Sequence, residues 1–354
     1  MNYSQKIAKL EKKLEPIILA IESSCDETCA SILKGGRKVI ANQIISSAQI
    51  HKKYGGVVPE IASRYHTDAI DKVVKNALNE ASLSFNDIDA IAVTYGAGLL
   101  GALLVGLSYA KALAFSLGVP LIAVNHIRGH LAAAYLADEK LEPPFISLLV
   151  SGGHTAIIKV DDYDNFTLLG STLDDAVGEA FDKVARVLGL SYPGGPSVEN
   201  LAKQGENLIV LPKMLKGAGG YNFSYSGLKT AVVNYVHNAE QKGEEVNRAN
   251  LAKSFQCSAI DVLCEKAVEA CLEHNLTTLT VGGGVGANGY LRETLTKMCA
   301  NKSIKLVLPE KSMCTDNGAM IGAEGYIRYL QGDFSNLDLN AKANLHLKWK
   351  IINE

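Results

Sequence analysis

Two histidines four positions apart, in His126-Ile-Arg-Gly-His130, are the residues whose types and spacing most directly suggest chemistry. On a helix, positions i and i+4 share a face, as two ligands of one metal ion must. The spacing is that of the HExxH zinc proteases. Position 127 is isoleucine, so the general base of that chemistry is missing. Two helix-start histidines with local hydrogen bonds are the plainer alternative. A metal site needs a further ligand, and Asp316 in Met313-CTDNGA-Met320 could be one. Standing just before a helix, it could equally be an N-cap. Two histidines and a carboxylate leave coordination positions open, which suits zinc or iron(II).

A second group lies in Glu22-Ser-Ser-Cys-Asp-Glu-Thr28, where Asp26 and Glu27 occupy a tight turn after an apolar strand. Aspartate is common in solvated turns. The functional alternative is a carboxylate that orients a metal-bound water or accepts a proton. Cys25 has no basic neighbour in sequence, which argues against a nucleophilic thiolate. In Leu149-Val-Ser-Gly-Gly-His-Thr155 a strand runs into a small turn whose backbone N–H groups could cradle phosphate, or which is an ordinary glycine hairpin with His154 in the core. Gly284, Gly286 and Gly289 match GxGxxG, but too late in the chain for a dinucleotide fingerprint, so the segment reads as a glycine-rich nucleotide contact. No GxxxxGK[ST] occurs, which excludes a P-loop ATPase. Glu179 and Asp182 share a helical face, and Tyr192-Pro-Gly-Gly-Pro196 forces an irregular loop that can approach a ligand closely.

The elements that must position these groups alternate. Ile17–Ile21, Ala30–Leu33, Ala90–Thr94, Leu121–Val124, Phe145–Val150, Thr155–Val160, Thr278–Val281 and Lys305–Leu308 read as strands, and His66–Glu80, Leu99–Leu117 and Asn317–Leu330 as helices. That alternation predicts an α/β fold. Ile18-LAIESSCDETCASI-Leu33 and Ser147-LLVSGGHTAIIK-Val160 each run strand, small polar turn, strand, so two duplicated lobes about a nucleotide-binding cleft are expected. The expected division is an N-terminal lobe at 16–143, a C-terminal lobe at 144–330 and a tail at 331–354. Residues 1–15 read as an amphipathic extension with Tyr3, Ile7, Leu10 and Leu14 on one face, packed on the body or on a partner.

At 354 residues, 47% apolar and 20% charged, the chain has the composition of about two globular domains and not of a disordered or collagen-like one. Its formal net charge of −2 supplies no global basic field, so nucleic-acid binding would need a local patch or a partner. Candidate patches are Lys34-Gly-Gly-Arg-Lys38, His51-Lys-Lys53 and Arg64. The seven cysteines, with no CxxC pair, read as reduced thiols of a cytoplasmic protein. The apolar run from Leu99 to Val124 is cut by Lys111, Pro120 and glycines, which argues against a membrane span.

Taken together the motifs resemble the tRNA N6-adenosine threonylcarbamoyltransferases, a family formerly called O-sialoglycoprotein endopeptidases. The resemblance runs from about Pro16 to Gly325. It rests on Glu22-SSCDE-Thr28, Tyr54-GGVVPEIASR-Tyr65, His126-IRG-His130, Leu149-VSGGH-Thr155, Asp174-DAVGEAFDKVAR-Val187, Tyr192-PGG-Pro196, Phe223-SYSGLK-Thr230, Val281-GGGVGAN-Gly289 and Cys314-TDNGA-Met320. It implies the actin-like, sugar-kinase-like ATPase fold. It also implies transfer of threonylcarbamoyl from threonylcarbamoyl-AMP to the exocyclic amine of the adenosine beside the anticodon, in tRNAs reading codons that start with A. The implied metal ligands are His126, His130 and Asp316, holding one Fe2+ or Zn2+ per subunit. The implied adenylate site is Leu149, Val150, Ser151, Gly152, Gly153, Asp182, Gly195, Glu199 and Asn288. The implied partners are tRNA, an inactive paralogous subunit and a small ATPase. Ala97 stands where a proline is typical, and residues 1–15 lie outside the pattern. A metalloprotease and a non-catalytic nucleotide-binding partner of the same fold are the competing classes; the first lacks its glutamate, and the second would be expected to lack the metal triad.

Overall fold

The computed structural model describes residues 2–212, 220–347 and 349–351. The chain divides into two compact units, Met1–Leu141 with Asp316–Leu347, and Glu142–Thr315 with Lys348–Glu354. Unit 1 holds α1 (Tyr3–Ile7), β1 (Ile17–Glu22), β2 (Glu27–Lys34), β3 (Lys38–Ser46), α2 (Ala48–His51), α3 (Pro59–Ala81), β4 (Ala90–Gly96), α4 (Leu100–Leu117), β5 (Leu121–Asn125), α5 (His126–Ala132) and α6 (Ala134–Ala137). Unit 2 holds β6 (Phe145–Val150), β7 (Thr155–Val160), β8 (Phe166–Ser171), α7 (Val177–Val187), α8 (Gly194–Ala202), α9 (Ser226–Lys242), α10 (Arg248–Glu273), β9 (Thr278–Gly282), α11 (Gly289–Asn301) and β10 (Lys305–Val307). The chain then returns to unit 1 as α12 (Gly318–Gln331) and ends in unit 2 with β11 (Lys350–Ile351).

Each unit repeats one topology. The sheet of unit 1 has the order β3-β2-β1-β4-β5, and that of unit 2 has β8-β7-β6-β9-β10 with β11 added beyond β8. In both, the first three strands of the unit pair antiparallel and the next two add in parallel. The repeat read from the two small-turn hairpins is therefore a duplication of the whole sheet.

Both faces of the unit 1 sheet are covered, which explains its near-continuous apolar strands. Leu19, Ile21, Ile91 and Val93 point to the core shared with α3 and α4. Their neighbours Ile18, Ala20, Ala90 and Ala92 point to the core formed with α12. Helix α12 lies close against the strands: a Cβ on Gly318 would stand 2.7 Å from the backbone nitrogen of Ser31. In unit 2 the core is built around Phe181 of α7 and Phe255 of α10, whose rings meet edge to face at 5.0 Å.

Several expectations need correction. The helix of α3 begins at Pro59, not His66, because proline's missing N–H costs nothing in the first turn. Residues 316–347 belong to unit 1, so neither a lobe at 144–330 nor a separate tail at 331–354 matches the division. The reason is the apolar face of α12, which buries Met320, Ile321 and Ala323 in unit 1, followed by Leu337 and Leu339 packed on the same unit. The N-terminal helix stops at Ile7 and Leu14 is exposed, so the predicted four-residue stripe does not form. The extension instead lies on unit 1, with the Tyr3 hydroxyl donating to the Val119 carbonyl at 2.8 Å and accepting from Leu121 N at 2.9 Å. By length and hydropathy α4 is apolar enough to cross a membrane. Its inward face, with Leu103, Leu107 and Ala110, is core of unit 1.

Candidate metal centre and nucleotide-binding residues

The metal triad assembles within unit 1 from two element ends. Strand β5 stops at Asn125, whose side chain accepts from Ile127 N and Arg128 N and so starts α5. That cap sets His126 on the first turn and His130 one turn on, with both imidazoles inward. Their rings lie edge to face at 4.6 Å. Arg128 turns away to Glu324 at 2.5 Å. Asp316 is not the cap of α12: Asn317 is, accepting from Met320 N at 2.9 Å. The Asp316 carboxylate instead faces the histidines, 3.6 Å from His126 Nε2 and 3.3 Å from His130 Nε2.

The fit to a metal rests on His130. It is 1% exposed, yet neither ring nitrogen has a hydrogen-bond partner. A buried imidazole of that kind is costly unless something else takes its lone pair. One ligand atom from each of His126, His130 and Asp316 lies within 4.8 Å of the others, a donor set of two nitrogens and one oxygen suited to a divalent cation.

Glu22, not singled out by the sequence reading, orients the centre. Fully buried at the end of β1, it accepts from Ser24 N and Thr94 Oγ1, both at 2.5 Å, and stands 3.2 Å from His126 Nδ1. A carboxylate there keeps the proton on Nδ1 and leaves Nε2 for a metal. The available signal was a glutamate closing an otherwise apolar strand. Burial opposes its charge, and His126 outweighs that, holding Glu22 below the usual carboxyl range. Burial likewise opposes protonation of His126, and Asp316 and Glu22 together raise it to about 9.

A pH dependence follows. In the metal-free protein the charged His126 contributes stability that is fully present below its ordinary 6.5 and lost as pH rises through about 9. Glu27, raised from 4.5 to about 10 by burial and by Asp316 and Asp26, also holds its proton better folded than unfolded. Its effect has the same sign. The metal-free protein should therefore melt lower at pH 9 than at pH 6. Metal must displace the His126 proton, so the logarithm of its association constant should rise by about one per pH unit over the same window. Calorimetric titration and thermal melts at the two pH values check both, and a pH-independent affinity would contradict this account.

The turn bearing Asp26 and Glu27 is held from several sides within unit 1. Asp26 is 7% exposed, and its carbonyl accepts from Ser47 N and Ser47 Oγ, both at 2.9 Å. The Cys25 carbonyl is 3.0 Å from His66 Nε2, and Thr28 Oγ1 is 2.7 Å from His66 Nδ1. Ser46 Oγ donates to Glu27 at 3.3 Å. Burial and neighbouring carboxylates push the Cys25 thiol far up, in agreement with the expectation that it is no nucleophile.

The residues expected to hold the adenylate all lie in unit 2. Leu149 and Val150 end β6, and Ser151 begins the small turn. Ser151 N donates to the His154 carbonyl at 2.8 Å, and His154 N donates back to Ser151 Oγ at 3.1 Å. Gly152 and Gly153 have open space where a Cβ would be. His154 is exposed, not a core histidine. Asp182 accepts from Gly194 N at 2.7 Å, fixing the start of α8, beside which Gly195 is open. Glu199 of α8 pairs with Lys203 and accepts from Gly289 N at 3.1 Å. Asn288 caps α11 by accepting from Leu291 N, and its amide donates to Gln256 at 3.1 Å. Glu179 is bound to Lys183.

The duplicated sheets define a protein of the actin-like, sugar-kinase-like ATPase fold, here carrying a candidate metal triad. Solved structures of that fold are similar to the whole chain. Full-length HypF in its phosphate- and nucleotide-bound form aligns at TM-score 0.59 and 16% identity, over 92% of this chain and 48% of that one. The Acidaminococcus fermentans (R)-2-hydroxyglutaryl-CoA dehydratase component A aligns at TM-score 0.53 and 14% identity, over 91% of this chain and 100% of that one. Residues 38–323 match the family described as tRNA N6-adenosine threonylcarbamoyltransferase. Relatives of that name from Clostridium botulinum strain 657 and Clostridium perfringens strain SM101 are 53% and 52% identical, covering 93% and 94% of this chain and 97% and 98% of theirs. The chain belongs to the tRNA N6-adenosine threonylcarbamoyltransferase family.

Proposed function

We propose that this chain transfers threonylcarbamoyl from threonylcarbamoyl-AMP to the N6 amine of the adenosine adjacent to the anticodon, in tRNAs reading codons that start with A. The observation that carries the reading is the buried His130, without a hydrogen bond at either ring nitrogen, converging with His126 and Asp316 in a chain of this family. In the reaction the N6–carbonyl bond forms, the mixed-anhydride C–O bond breaks, AMP leaves with the electron pair, and the amine gives up a proton. An adenine amine is a weak nucleophile because its lone pair is delocalised, so the electrophile must be positioned and polarised. His126, His130 and Asp316 would hold a divalent ion, Fe2+ or Zn2+, which when bound would supply Lewis-acid charge to the reaction.

The protein's own groups do the rest. The turn Ser151, Gly152 and Gly153 takes the phosphate: the Ser151 N–H is engaged by the His154 carbonyl and shapes the turn, and the open space at both glycines lets a ligand approach their main chain. Leu149, Val150, Asp182, Gly195, Glu199 and Asn288 complete the donor site. The amine proton goes to the Asp26–Glu27 pair. Asp26 is assigned as the acceptor and Glu27 as a hydrogen-bond donor, because burial and the neighbouring Asp316 and Asp26 push Glu27 up in the metal-free chain. Asp26→Asn should then slow transfer by roughly 10²–10⁴-fold, and Glu27→Gln, which keeps a donor, by less than about tenfold. Single-turnover rates at saturating donor check this; equal losses would reverse the assignment.

The reading places the chain in the cytoplasm with tRNA, a paralogous subunit and a small ATPase. The exposed Leu100, Leu104 and Phe115 of α4 give an apolar face for the paralogue. A protease is disfavoured because the residue after His126 is the buried Ile127. The test is incorporation of labelled threonine into tRNA with bicarbonate, ATP, the adenylate-forming enzyme and both partner proteins. Incorporation that requires this chain is expected; none with folded, metal-loaded protein would overturn the reading.

A further inference from the structure

With a net charge of −2, the chain must draw RNA by a local patch. Strand register decides which basic cluster stands near the carboxylates of the Asp26–Glu27 turn. Glu27 pairs with Ser46 at one end of the β2–β3 hairpin, and Lys34 pairs with Lys38 at the other. Seven strand steps of about 3.3 Å put the Lys34–Lys38 cluster about 23 Å from Glu27. Its charges are also engaged: Lys34 pairs with Glu15 at 3.3 Å, and Arg37 stacks on Tyr135 and donates to the Leu141 carbonyl. Arg64 is bound to Glu60 at 2.8 Å.

The segment leaving β3 is different. Directly after Ser46 and Ser47, which hold Glu27 and Asp26, the chain makes α2 and then a tight turn, Lys52–Tyr54. Both lysines are exposed, as is Tyr54 at 53%, and Lys53 Nζ lies 5.1 Å from the centre of the Tyr54 ring. The turn is anchored. His51 is fully buried, with its N–H donating to the Ser47 carbonyl and its Nδ1 accepting from Val58 N, and Gly55 closes the turn in the left-handed region at φ 71°. Two exposed lysines, one of them beside an exposed aromatic ring, on an anchored turn have the chemistry that binds single-stranded RNA: charge for phosphates and a face for a base.

We propose that Lys52, Lys53 and Tyr54 form a platform for the single-stranded anticodon loop, with Tyr54 stacking on an unpaired base and the lysines meeting flanking phosphates. The proposal rests on the transferase reading and names where its RNA substrate sits on unit 1. The platform shares its anchor with Asp26 and Glu27, so a loop bound there is registered to the turn that takes the amine proton.

The test compares wild type, Lys52→Ala/Lys53→Ala, Tyr54→Ala and Tyr54→Trp in the complete transfer reaction with full-length tRNA. It also measures equilibrium binding of an isolated anticodon stem–loop across a salt series. Tyr54→Ala should raise the KM for tRNA by roughly 5- to 100-fold, and Tyr54→Trp should restore it. The double lysine variant should flatten the slope of log affinity against log salt by about 1.4, two phosphates at about 0.7 each. Metal content and KM for the adenylate should not move. Unchanged KM for tRNA and an unchanged salt slope would overturn the platform. So would a loss confined to the lysines with none at Tyr54, or lost assembly with a partner protein at unchanged RNA affinity. Wild type that binds the stem–loop through these residues but transfers nothing would sink the transferase reading and leave the platform standing.

Discussion

Asp316→Asn is expected to give a folded protein that holds no metal and transfers threonylcarbamoyl roughly a thousandfold more slowly, about 4 kcal/mol of lost transition-state stabilisation. Asparagine keeps the shape of the side chain and removes only its charge. The fold does not depend on that charge, because Asn317 and not Asp316 caps α12. What depends on it is the balance among buried charges. Asp316 is a cause of the raised His126, the raised Glu27 and the raised Cys25. Without it Glu27 is freed of one acidic neighbour. The metal-free variant should then lose less stability than metal-free wild type as pH rises from 6 to 9. Metal analysis, labelled-threonine transfer and paired thermal melts read these three effects separately. Stoichiometric metal in the variant, or transfer within tenfold of wild type, would show that Asp316 is not a ligand of this centre.

How much of this was legible in the sequence depends on what each residue answers to. The duplicated hairpins were legible because a short apolar run and a small polar turn are local, and the sheet orders bear the repeat out over five strands of each unit. The return of α12 to unit 1 was not: its apolar spacing predicts a buried helix but says nothing about which sheet buries it. The choice between ligand and cap at Asp316 was left open by sequence because Asp and Asn adjoin, and either can accept from a helix N-terminus. Only the geometry gives the cap to Asn317 and turns Asp316 to the histidines. Glu22 and Ser46 were missed for a common reason. Their roles come from strand register, Glu22 reaching Thr94 on β4 and Ser46 lying opposite Glu27, and no spacing along the chain encodes that. A core position for His154 was one of two alternatives the sequence left open, and the turn that exposes Gly152 and Gly153 exposes it too.

Gly283→Ala should strongly damage unit 2, for a reason that concerns the backbone alone. Gly283 has φ 93° and ψ 158°, a region that side-chain-bearing residues adopt only with strain of about 1–3 kcal/mol. A Cβ there would stand 2.4 Å from the Val150 carbonyl oxygen and 3.0 Å from Ser151 N. The Val150 carbonyl cannot yield cheaply, since it closes β6, which is bonded on either side to β7 and β9. The movement must therefore go into the turn at 151–153, which the transferase reading assigns to the phosphate of the donor. The KM for the adenylate should rise about a hundredfold, with metal content unchanged because the triad belongs to unit 1. Gly152→Ala is the control. Its Cβ meets nothing within 4 Å, so the fold should be unaffected and any loss should come only from the methyl group meeting the ligand. If Gly283→Ala bound the adenylate as tightly as wild type while Gly152→Ala did not, close backbone support from Gly283 would be irrelevant to the donor site, and the turn would be held by its own Ser151–His154 bonds alone.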